Sequence, residues 1–150
     1  MRTFIVKFSY FSMCHYIIEE DIRLFKTVIL ASRIDLKEAV YLSKKIFRFL
    51  KRRNITIILE KELASKIGEK GTPLTKAYGD FAIIIGGDGT VLRVANALGG
   101  RIPLYVIKVG RIGFFADTTP KNALVAIGKV LNQEFVRDES LMLSSNLHVP

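Results

Sequence analysis

From Thr27 onward, short apolar runs alternate with longer stretches of helical spacing. Thr27 to Ala31 (TVILA) is rich in β-branched residues and reads as a buried strand. Asp35 and Glu38 then form a capping-box-like pair that predicts a helix start. Leu36, Ala39, Val40, Leu42, Ile46, Phe47 and Leu50 recur at helical spacing and make one apolar stripe, on a helix running to about Arg53. Ile55 to Leu59 (ITIIL) is a second strand, and Lys61 to Ile67 a short helix closed by Gly68. Glu69 to Gly79 holds glycines and a proline and reads as loop. Phe81 to Ile85 (FAIII) is a third strand, followed by the Gly86 to Thr90 loop and a helix over Val91 to Leu98 that Gly99-Gly100 ends. Pro103 to Ile107 is a fourth strand and Gly110 to Asp117 a second loop. Thr119-Pro120 opens a helix with proline at its first position, running to about Leu131. Glu134 to Val149 has room for one or two strands.

Strands separated by helices predict an α/β fold, a parallel sheet with flanking helices. The uninterrupted apolar run FAIII suits a strand covered on both faces. Ligands of such sheets bind at the carboxyl ends of the strands. Both glycine-bearing loops, after Ile85 and after Ile107, fall there. Residues 1–26 are rich in aromatics and lack a clear period, so they are expected to be an N-terminal extension packing on the domain. Residues 27–133 are then expected to form one α/β domain.

Composition narrows the picture. The 150 residues are 49% hydrophobic and 25% charged, which excludes a disordered chain. No apolar stretch reaches the roughly 18 residues of a membrane span. Lys7 interrupts the apolar start and no small-residue cleavage site follows, so a signal peptide is not expected. The single cysteine, Cys14, suits a reducing compartment, and a cytoplasmic location is the expectation. Cys14, His15 and the distant His148 would need further ligands to make a nucleophile or metal site. The net charge of +9 favours anionic ligands. Much of it lies in Lys44, Lys45, Arg48, Lys51, Arg52 and Arg53, which would share the solvent side of one helix. A solvated helix face accounts for such a run, and no RNP-like aromatic pattern or zinc spacing supports nucleic acid as a partner.

Gly86-Gly87-Asp88-Gly89-Thr90 carries the candidate chemistry. Its glycines let a phosphate approach backbone N–H groups, and the helix after it presents unpaired N–H groups at its positive end. An acidic residue in such a loop repels phosphate. Asp88 makes sense there if it accepts a proton from a hydroxyl, or holds a metal ion that itself holds phosphate. Both point to phosphoryl transfer. The alternative is a tight strand-to-helix turn with Asp88 or Thr90 as the cap.

The string GGDGT resembles that of a kinase superfamily containing the NAD kinases and the diacylglycerol and sphingosine kinases. Thr90-Val91-Leu92-Arg93 continues as NAD kinases do, and Ile102-Pro103-Leu104 with Gly110-Arg111-Ile112-Gly113-Phe114-Phe115-Ala116-Asp117 is similar to their second glycine motif. The resemblance runs from about Thr27 to Leu143. It implies transfer of the terminal phosphate of ATP, or of polyphosphate, to the 2′-hydroxyl of the adenosine ribose of NAD, giving NADP. It implies Asp88 as the catalytic base, and Gly86, Gly87, Asp88, Gly89, Thr90 and Arg93 as nucleotide-binding residues. Mg²⁺ would accompany the ATP, with no metal-ligating residues assigned. Phe114 and Phe115 line a nucleobase pocket or join the core. The resemblance also implies small-molecule nucleotides as partners, a homo-oligomer for the full-length protein, and no membrane.

Three departures stand against the family pattern. Lys108 replaces the usual asparagine, and Asp138-Glu139-Ser140-Leu141 places serine at or near a usual arginine. The family's C-terminal all-β domain, with an Asn-Glu pair for NAD, lies outside the 150 residues. Residues 134–150 are expected to be its start. The alternative function is therefore a non-catalytic nucleotide-binding remnant or interaction module of the same superfamily.

Overall fold

The computed structural model describes residues 2–7, 25–110, 113–116 and 118–141. Six strands form one sheet in the order β3-β2-β4-β5-β1-β6. They are β1 (Arg2–Lys7), β2 (Thr27–Ser32), β3 (Thr56–Leu59), β4 (Phe81–Gly86), β5 (Leu104–Lys108) and β6 (Val136–Leu141). The first five run parallel, and β6 is an antiparallel edge along β1. The expected parallel sheet with flanking helices is what the chain forms.

Alternate residues of the buried strands feed two cores. Val28, Leu30, Ile83, Ile85 and Tyr105 face one side, where α1 (Lys37–Lys51), α2 (Lys61–Ile67) and α4 (Ala123–Leu131) supply Ile46, Leu50, Leu63, Ile127 and others. Ile29, Ala31, Ala82, Ile84 and Val106 face the other, under Val91, Val94 and Leu98 from α3 (Asp88–Ala97) and its C-cap. Phe81 to Gly86 is buried at every position, which is why that run shows no alternation. Gly68 ends α2 in the left-handed conformation, as its position predicts. All six cations of the α1 run are exposed, and Lys45, Lys51 and Arg53 lie over the rings of Tyr41, Phe47 and Phe49.

Four sequence expectations are corrected. Arg2–Lys7 is not part of an extension beside the domain but an inner strand, hydrogen-bonded to β5 on one side and β6 on the other. Its place in the sheet is set by partners far away in the chain, which a local pattern does not reveal. Val136–Leu141, expected to open a separate β domain, pairs with β1 along its whole length in this same sheet. Asp35 does not cap α1: Leu36 is the N-cap, with no side-chain cap bond, and Asp35 turns to Arg33 instead. A bidentate guanidinium partner two residues away outcompetes the helix N–H. The proline-led helix start is also split, into a 3-10 turn over Pro120–Asn122 and then α4. Cys14, His15 and His148 lie outside the described residues.

Candidate functional site

Five parallel strands end on one edge, and two glycine loops leave from it. Gly86 closes β4 in register with Lys108 at the end of β5, and the Val109 N–H donates to the Gly86 carbonyl at 3.3 Å. A Cβ at position 86 would lie 2.6 Å from Thr90 Oγ1 and 3.2 Å from Arg33 Cβ. A glycine here lets the first turn of α3 fold back onto the strand end. Gly87 is the N-cap, so Asp88 is the first helical residue rather than the cap. Its carboxylate sits at the positive end of the helix, where negative charge is favoured.

The Asp88 carboxylate reaches across to the second loop. The Phe114 N–H donates to its Oδ2 at 2.9 Å and the Phe115 N–H to its Oδ1 at 3.3 Å. Gly113 makes this approach possible, because a Cβ there would lie 2.8 Å from Asp88 Cγ. Phe115 packs on the core beside α3, whereas Phe114 is 87% exposed. Of the two aromatic neighbours, Phe115 joins the core and Phe114 does not. Arg111, Ile112 and Asp117 of the same loop lie outside the described residues.

Thr90 and Arg93 look the other way. At about 100° per residue they stand roughly 140–160° around α3 from Asp88. They line a cleft of about 310 Å³ with Ser32, Arg33, Ile34, Asp35, Glu60 and Glu62. Its floor is a charge network. Glu60 follows β3 directly and its side chain is fully buried. It accepts a hydrogen bond from the Ser32 N–H at 3.1 Å and another from Arg93 Nη1. That bond holds the Arg93 guanidinium above its ordinary pKa. At the mouth of the cleft, Arg33 grips Asp35 in a two-pronged pair and draws its carboxyl below the usual value. This second pair is exposed and contributes little stability.

The sequence-predicted residues therefore share one helix start but face two compartments. Asp88 belongs with Gly113–Phe115, and Thr90 and Arg93 belong with Glu60 and Arg33. Sequence reasoning assigned no role to Glu60, Ser32 or Arg33. A carboxylate directly continuing the apolar run ITIIL was the available signal for Glu60. Lys108, the departure from the family asparagine, is half-buried at the tip of β5 beside Gly86. Among the described residues, no three His, Cys, Asp or Glu side chains gather as a metal site, and no helix is long and apolar enough to cross a membrane.

Comparison with known proteins bears on the family and the fold. The profile of the ATP-NAD kinase N-terminal domain matches residues 28–135. An NAD kinase of Methanoregula boonei is 38% identical over 94 residues, covering 63% of this chain and 35% of that protein. A yeast NADH kinase structure, complexed with NADH, superposes with a TM-score of 0.67 over 75% of this chain and 40% of its own; at 15% identity it speaks for the fold alone. An Archaeoglobus fulgidus NAD kinase in complex with ATP superposes with a TM-score of 0.52 at 25% identity, covering 71% of this chain and 37% of that one. The chain spans between 35% and 44% of the length of the curated relatives it matches. With its profile match running from β2 to the start of β6 and the glycine loops at the carboxyl edge, the chain belongs to the NAD kinase family.

Proposed function

We propose that the protein phosphorylates NAD, taking the terminal phosphate of ATP (or of polyphosphate) and giving NADP. The observation that carries this reading is the Asp88 carboxylate, held by two backbone N–H groups at the positive end of α3, on the edge where both glycine loops meet. A ribose hydroxyl is a weak nucleophile. Asp88 orients it and accepts its proton as the hydroxyl oxygen bonds to the γ-phosphorus, while the bond to the bridging oxygen breaks and ADP leaves. The carboxylate has acceptor sites beyond the two that the loop uses. Gly86, Gly87, Gly89 and Thr90 shape the loop against the nucleotide, and Arg93 supplies donors from the neighbouring cleft. The described residues give a divalent ion no carboxylate cage, so Mg²⁺ would come bound to the triphosphate and supply charge neutralisation there. A cytoplasmic location and a homo-oligomeric full-length protein belong to the same reading.

The test is NADP formation from NAD, ATP and Mg²⁺, measured for the wild type and Asp88→Asn. The variant should lose about two to four orders of magnitude in kcat with its fold intact, the usual scale for a general base. Turnover like the wild type would remove Asp88 from the chemistry. A second reading, nucleotide binding without transfer, is favoured by both Asp88 oxygens being engaged by the second loop. It expects saturable binding of ATP or NAD and no NADP.

A further inference from the structure

The Glu60–Arg93 pair is costly to build. Glu60 is fully buried, and a buried ion pair gives little or no net stability over an apolar pair of the same size. Core packing alone does not explain it. The carboxylate instead ties together three elements: β3, which it follows; β2, through the Ser32 N–H; and α3, through Arg93. Arg93 spends one prong on Glu60, its one hydrogen-bonding partner among the described residues. Its side chain stays 48% exposed in the wall of the cleft, with four N–H donors remaining.

The charge of the cleft sharpens the point. Two arginines, Arg33 and Arg93, stand against three carboxylates, Asp35, Glu60 and Glu62. There is no surplus of positive charge to draw an anion in. What can hold one is directed donors, and their direction depends on what fixes the guanidinium plane. We infer that Glu60 is a positioning residue: it locks Arg93 so that its free prongs meet a phosphate group of a nucleotide substrate in the cleft beside Thr90. This rests on the kinase reading above for its substrates. The phosphate belongs either to ATP or to the pyrophosphate of NAD.

Glu60→Gln keeps the shape and the acceptor for Ser32 but removes the charge that fixes Arg93. Michaelis constants for ATP and for NAD are measured separately, with Arg93→Lys and the double variant alongside. Lysine keeps the charge but cannot serve Glu60 and a ligand with one fork. Each single variant should raise KM for one nucleotide about tenfold with kcat within about threefold, and the double variant should go no further than the singles. The nucleotide whose KM moves identifies the source of the phosphate. A folded Glu60→Gln protein with both KM values unchanged, or additive effects in the double variant, overturns the inference. If Glu60→Gln does not fold, Arg93→Lys decides, and an unchanged KM overturns it. Should the wild type make no NADP, calorimetric titration with ATP and with NAD replaces KM. Weakening of about tenfold then upholds the positioning role while the kinase reading falls. Binding of neither nucleotide to the wild type sinks both.

Discussion

Replacing Gly113 with alanine tests how the two glycine loops are joined. The new Cβ would lie 2.8 Å from Asp88 Cγ and 3.1 Å from Oδ2, well inside ordinary van der Waals contact. Asp88 is anchored in the first turn of α3, so the carboxylate swings away or the second loop retreats. Either movement breaks the N–H bonds from Phe114 and Phe115, at 2.9 and 3.3 Å. A hydrogen bond to a charged group is worth about 1.5–3 kcal/mol. One of these is long and both are partly exposed, so their joint loss should cost about 2 kcal/mol, or roughly 30-fold in the docked population of the loop. The loss is local, because the loop can open while the sheet stays intact. Amide hydrogen exchange reads it directly: Phe114 and Phe115 should exchange roughly 30-fold faster in the variant. Gly89→Ala is the control, since nothing lies within 4 Å of a Cβ there. Unchanged exchange at both amides in Gly113→Ala would refute the latch between Asp88 and this loop.

Two further outcomes concern stability. Tyr105 is 1% exposed and its hydroxyl pairs with Thr118 Oγ1 at 2.7 Å. Tyr105→Phe should cost about 1 kcal/mol at neutral pH by urea denaturation. Burial raises this phenol above its ordinary 10.0, so its contribution is complete below pH 10 and is lost as pH rises through the folded-state value. The wild type should therefore lose stability faster than Tyr105→Phe above pH 10, and parallel curves would count against the burial argument. Gly128 lies inside α4 with open space where a Cβ would go. Gly128→Ala should add about 0.5–1 kcal/mol, or about 2 °C in Tm, and a lower Tm would mean the site is not open.

Most of the scaffold was legible from residue order. The runs TVILA, ITIIL and FAIII and the stripe from Ala39 to Leu50 hold enough local signal to fix strand, helix and alternation, and the two glycine loops fell at the strand ends the alternation implied. What escaped was set by partners far away in the chain. Arg2–Lys7 is a strand because of Leu104 and Tyr105 on one side and residues 136–141 on the other. Val136–Leu141 (VRDESL) was expected as a strand, but its charged composition does not show that it pairs antiparallel with β1 at the edge of this same sheet. At the candidate site, Asp88, Thr90 and Arg93 were singled out by motif, but motif spacing does not say that Arg93 meets a buried Glu60 33 residues earlier. Asp35 misled for a local reason, since a capping-box spacing counts for little when Arg33 offers two charged bonds.

The position of β1 also sets a timetable. It is synthesised before anything it pairs with: Ile5 meets Leu104, and Lys7 meets Val136. On a ribosome adding roughly 5–20 residues per second, its first partner arrives about 5–20 seconds later. β2, β3 and β4 are adjacent in the sheet and complete well before that. The half of the sheet carrying Gly86 and Glu60 can thus assemble while the apolar segment TFIV waits unpaired. Its seat between β5 and β6 cannot be completed until Leu141 has been made, so the β1–β6 seam is the last pairing of the described sheet to become available.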